Sequence, residues 1–109
     1  RAYASVAASP VTVTKSKTGI TVVSVEGEHV SKNSAPASSV SLVVKAGSRE
    51  EGTDNVGVAH FLKNFAFKNT SARTAFRTTR EAELLGGFLS ANLTRENLIL
   101  STDFLRGDL

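Results

Sequence analysis

The spacing of apolar side chains changes twice along this chain, and that change limits the folds open to it. Before Gly47 they lie in short Val- and Thr-rich runs. From Val58 they recur at Val58, Phe61, Leu62 and Phe65, the i, i+3, i+4, i+7 spacing of an amphipathic helix. Beyond Gly87, Leu89, Ala91 and Leu93 again alternate with polar residues. Thr12–Lys15 and Ile20–Glu26 flank Ser16-Lys17-Thr18-Gly19 and predict a strand, a tight turn and a second strand. His29–Ser38 is polar and predicts a loop, and Ser39–Ala46 predicts a third strand closed by Gly47. Asp54 or Asn55 is expected to cap the first helix. A second helix is expected after Thr70 or Ser71, running through Arg73, Phe76, Arg80 and Glu83 and ending at Gly86-Gly87. Two last strands, turning at Arg95-Glu96, place Leu98, Leu100 and Phe104 on one side. The order β-β-β-α-α-β-β predicts an α+β fold: a mixed, largely antiparallel sheet with both helices packed on one face.

Two helices over such a sheet make a thin half-sandwich, and no closing element follows in Arg106-Gly107-Asp108-Leu109. Residues 12–109 are therefore expected to be an incomplete, amino-terminal part of a domain, with residues 1–11 as a flexible terminus. Composition bears on this expectation. At 40% hydrophobic and 21% charged the chain is foldable rather than disordered. With six Phe, one Tyr and no Trp, its core must be built from Val, Leu and Ala, which leaves little stability at this length.

Several function classes are excluded at the same level. The absence of Cys removes disulfides and thiolate metal sites. The net charge of +3 comes from basic residues that nowhere cluster with interleaved aromatics, so no nucleic-acid surface is expected. Apolar runs such as Leu42-Val43-Val44 fall far short of the ~20 residues of a membrane-spanning helix, so any membrane association is expected to be peripheral. No acidic residue precedes Glu26, and Arg1-Ala2-Tyr3-Ala4-Ser5 looks like the end of a mitochondrial transit peptide or, equally, a plain terminus.

The stretch Gly57-Val58-Ala59-His60-Phe61-Leu62-Lys63-Asn64, followed by Phe67-Lys68-Asn69-Thr70, carries more information. It resembles the pitrilysin-like (inverzincin) metallopeptidase family, in which G-x-A-H-F-L-E-H precedes F-K-G-T. Lys45-Ala46-Gly47-Ser48-Arg49-Glu50 looks like the family's strand end and turn. Glu81-Ala82-Glu83-Leu84-Leu85-Gly86-Gly87 looks like its second helix terminus, and Thr94-Arg95-Glu96-Asn97 like its next hairpin turn. Together these cover about Thr12 to Leu109 in the family's order.

Two His residues four apart share a helix face and can bind one zinc ion, and the Glu before the second can take a proton from zinc-bound water. Here His60 holds the first ligand position, but Lys63 replaces the base and Asn64 the second ligand. A lysine is repelled by Zn²⁺ and cannot act as the base, and a carboxamide is a poor zinc ligand. The resemblance places the third ligand, a Glu, beyond Leu109. It therefore implies a non-catalytic member without metal or other cofactor. His60, followed by Phe61-Leu62 on an amphipathic helix, is itself expected to be a hydrogen-bonded structural residue. His29 is expected in solvent, and Glu81 and Glu83, beside Arg80, as surface charge. Within the family, activity is lost in two mitochondrial lines: the core proteins of respiratory complex III and the alpha subunit of the matrix processing peptidase. Arg80-Glu81-Ala82-Glu83-Leu84-Leu85-Gly86-Gly87 and Asp103-Phe104-Leu105-Arg106-Gly107-Asp108-Leu109 look most like the first line in its fungal form. That line implies a matrix-facing, peripheral subunit held by protein partners.

Overall fold

The structure, a computed structural model, describes residues 11–25 and 37–105. The chain divides into two units, residues 1–35 and 36–109. The expected placements of residues 1–10, of Glu26 at the end of the second strand and of His29 lie outside the described residues.

In the first unit, β1 (Val11–Lys15) and β2 (Thr21–Val25) pair antiparallel as an independent two-stranded sheet. The turn is closed by hydrogen bonds from Ser16 N–H to the Ile20 carbonyl at 2.8 Å and from Gly19 N–H to the Ser16 carbonyl at 3.0 Å. Pairing Val11 with Val25 and Val13 with Val23 gathers four valines on one face, while Thr12, Thr14, Val22 and Ser24 take the other.

In the second unit, β3 (Ala37–Val44), β4 (Phe88–Leu93) and β5 (Leu98–Leu105) form a sheet of order β3-β5-β4. The α+β class and the element order are as expected, but all described pairings are antiparallel and the strands fall into two sheets, not one mixed sheet. Val40, Leu42 and Val44 stand beside Thr102, Leu100 and Leu98, and these beside Leu89, Ala91 and Leu93, making one mostly apolar face. The reverse face is mixed, carrying Ser41, Ser90 and Ser101 together with Val43, Ile99 and Phe88, with Ser41 Oγ and Ser101 Oγ 2.8 Å apart.

The third strand begins two residues earlier than expected and ends at Val44 rather than Ala46. The reason is non-local. Gly47 and Arg49 leave the ladder to donate their N–H groups to the carbonyls of Glu96 and Arg95, at 3.1 and 2.9 Å, in the β4–β5 turn. A short 3₁₀ turn follows (Ser48–Glu50), and Arg49 pairs with Glu96 at 2.7 Å.

Helix α1 (Val58–Phe65) and helix α2 (Ala75–Leu84) both pack against β4. Their starts differ from expectation. Neither Asp54 nor Asn55 caps α1. The N-cap is Gly57 in the left-handed region (φ 90°), because Asn55 is used in the turn before it, its Oδ1 accepting from Gly52 N–H at 2.6 Å. Helix α2 starts after Thr74, whose hydroxyl accepts from Arg77 N–H at 3.3 Å, while Asn69 Oδ1 accepts from Ala75 N–H at 2.7 Å. Thr70, an expected start, instead bonds Arg73 through backbone and hydroxyl. The end of α2 is as expected. Gly86, at φ 65°, lets its own N–H reach the Glu83 carbonyl and the Gly87 N–H the Ala82 carbonyl, at 3.0 and 2.7 Å, the paired C-terminal bonds that satisfy a helix end.

Burial shows where the core lies and where it stops. Only Ala59 (4% exposed) and Leu98 (8%) are buried apolar residues among those described. The large apolar residues of α1 are uncovered, Phe61 at 63% and Phe65 at 66% exposure, their rings loosely stacked at 6.5 Å. On the apolar sheet face, Val40 (53%) and Leu42 (54%) of β3 are equally bare. No helix among the described residues is long and apolar enough to cross a membrane.

Candidate functional site: a substituted metal motif on helix α1

Glu51 fixes the start of α1 from outside the helix. One carboxylate oxygen accepts from Gly57 N–H and the other from Ala59 N–H, each at 2.8 Å. These two bonds, Gly57 first, hold the Glu51 carboxyl below its ordinary value of 4.5. The sign follows from that direction. A carboxyl whose pKa is lower folded than unfolded stabilises the fold above its unfolded pKa, and that contribution disappears as pH falls through the folded value. Glu51→Gln leaves one acceptor instead of two charged ones. Amide exchange at Gly57 and Ala59 is expected to quicken in this variant near neutral pH. The difference from the parent should shrink as pH drops below about 4.5, the ordinary carboxyl value. Equal exchange in both proteins at pH 7 would refute the cap. Sequence reasoning missed Glu51 because a cap six to eight residues away carries no local signature.

His60, Lys63 and Asn64 lie in the two turns that follow. At i and i+4, His60 and Asn64 share a helix face, and Asn64 Nδ2 stands 3.0 Å from His60 Nε2. Both are exposed, whereas Lys63 is half-buried. A zinc ion is a poor fit to this donor set. It would find one imidazole whose Nε2 faces an amide donor, a carboxamide and an ammonium. Among the described residues no three His, Asp or Glu side chains stand close enough to hold a metal ion.

The acidic residues of α2 are surface charge as expected, with different partners. Glu81 bonds Arg77 at 2.7 Å and Arg73 at 3.2 Å, not Arg80. The Arg77 hydrogen bond, more than the charges of Arg77 and Arg73, holds the Glu81 carboxyl below its usual range; the same bond raises Arg77. Exposed pairs of this kind contribute little to stability. A feature absent from the sequence reading is an open groove of about 290 Å³ bounded by Phe67, Ala75, Ala82 and Phe88, with Lys68 and Glu83 also lining it. Phe67 sits there in the left-handed region (φ 59°), an unusual conformation for a bulky residue.

The arrangement of two helices against an antiparallel sheet agrees with the comparisons. Residues 28–109 match the insulinase model, peptidase family M16, and the chain belongs to that family. It is similar to cytochrome b-c1 complex subunit 2, mitochondrial, from several organisms. Identity is 55% with the Cryptococcus neoformans protein over 95 residues, covering 87% of this chain and 20% of the relative. It is 44% with that of Neurospora crassa, over 100% of this chain and 23% of the relative. It is 38% with the human protein, over 88% of this chain and 20% of the relative. The chain thus spans about a fifth of the length of these relatives. Among solved structures, a protease from Helicobacter pylori superimposes with a TM-score of 0.78 over 94% of this chain and 24% of its own, at 24% identity, which supports the fold alone.

Proposed function

We propose that this chain is the amino-terminal part of a non-catalytic structural subunit of mitochondrial respiratory complex III, in the role of core protein 2 of ubiquinol–cytochrome c reductase. The observation that carries the reading is the 55% identity, over 87% of the chain, to a protein named as subunit 2 of that complex. The same subunit name recurs at 44% in Neurospora crassa and 38% in human. The two substitutions beside His60 agree with it: Lys63 replaces the base and Asn64 the second ligand, so neither peptide hydrolysis nor zinc binding is expected. Residues 12–109 are then an incomplete part of a peptidase-like domain, and the bare faces of α1 and β3 are where the rest of it packs. The partners are core protein 1 and other complex III subunits, and the place is the matrix side of the inner membrane, held by protein contacts.

Native electrophoresis of mitochondria in mild detergent tests this. The chain is expected to migrate with cytochrome-containing partners, and alkaline carbonate should release it from the membrane. Migration solely in a soluble, haem-free, presequence-cleaving pair, as an alpha subunit of the processing peptidase would show, overturns the assignment. Stoichiometric zinc in the purified protein, or cleavage of a presequence peptide by it, overturns the non-catalytic part.

A further inference from the structure

Asn64 occupies the position one helical turn after His60, where the family's second metal-binding histidine stands. The side chain does more than fail as a ligand. Its Nδ2 lies 3.0 Å from His60 Nε2. A carboxamide nitrogen only donates, so with Nδ2 on this side the facing ring nitrogen accepts and a neutral ring carries its proton on Nδ1. We propose that Asn64 takes over the metal's place on His60. Its amide fills the lone pair through which Nε2 would bind a cation, holds the ring in the Nδ1–H tautomer and orients it without any ion. This rests on the non-catalytic reading above and adds a positive role for the substitution. The i, i+4 spacing that lets two imidazoles converge on one ion also lets a carboxamide reach the ring. Lys63, one residue earlier, keeps a positive charge on the same turn and further disfavours a cation there.

The two roles of the pair are inverted by one atom. In Asn64→Asp the side chain can only accept, so the facing ring nitrogen must carry the proton. Long-range ¹⁵N–¹H correlation of the full-length protein, with labelled histidine, reads the tautomer directly. His60 is assigned by its loss in His60→Gln, and spectra are taken at alkaline pH where a histidine ring is neutral. The Nδ1–H pattern is expected for the parent and the Nε2–H pattern for Asn64→Asp, with equimolar zinc leaving the parent signals unshifted. An Nε2–H pattern in the parent, an unchanged tautomer in Asn64→Asp, or displacement by zinc overturns the proposal. Complex III membership is read by electrophoresis and presequence cleavage by assay, so failure of the functional reading remains distinguishable from failure of this one.

Discussion

Gly47→Ala is expected to destabilise the second unit by about 4 kcal/mol, the sum of severe overpacking and two weakened backbone hydrogen bonds. Gly47 is buried, and a methyl group built on it would lie 2.3 Å from the Arg95 carbonyl oxygen and 2.5 Å from the Glu96 carbonyl carbon. Those neighbours are backbone, with no flexible side chain to yield. The bonds from Gly47 N–H to Glu96 and from Arg49 N–H to Arg95 would have to lengthen as the β4–β5 turn withdrew. Gly52→Ala is the control, because there the added carbon meets only the Asn55 side-chain oxygen, at 3.2 Å. Urea unfolding of the full-length protein, with amide exchange at Arg49, measures both. A Gly47→Ala midpoint no lower than that of Gly52→Ala would show that the close approach is not a constraint.

Expressed by itself, the 109-residue chain is expected to unfold over a broad range and to bind a hydrophobic dye. Val40, Leu42, Val58, Phe61, Leu62 and Phe65 all remain exposed in it. Completing the burial of such half-exposed side chains contributes about 1 kcal/mol each. Their sum is comparable with the entire net stability of a small domain, about 5–15 kcal/mol. Among the described residues no strand pairs with the outer edges of β3 and β4, and such edges invite association. In the full-length protein the same side chains are expected to be protected from carbene labelling. A sharp, reversible transition of the isolated chain without dye binding would contradict the incomplete-domain reading, as would full labelling of Leu42 and Phe65 in the longer protein.

The amino-acid sequence by itself determined the element order, the turn at Ser16–Gly19, the end of α2 at Gly86-Gly87 and the family. These rest on signals spanning a few residues: alternation, helical spacing, glycine in the left-handed region, and a contiguous motif. It also placed His60, Lys63 and Asn64 together on one helix. Tertiary structure decided the rest. The end of β3 at Val44 depends on Glu96 and Arg95, half the chain away. The start of α1 depends on a glycine conformation and on Glu51, where the sequence pointed to Asp54 or Asn55. Which strands pair, β1 with β2 and β5 with both β3 and β4, is a choice of edges that alternation does not encode. The amphipathic spacing of Val58, Phe61, Leu62 and Phe65 shows that this face has to be covered, but not by what. Burial is a property of neighbours brought together by the whole fold, and on α1 the small Ala59, not the large apolar residues, is the one buried.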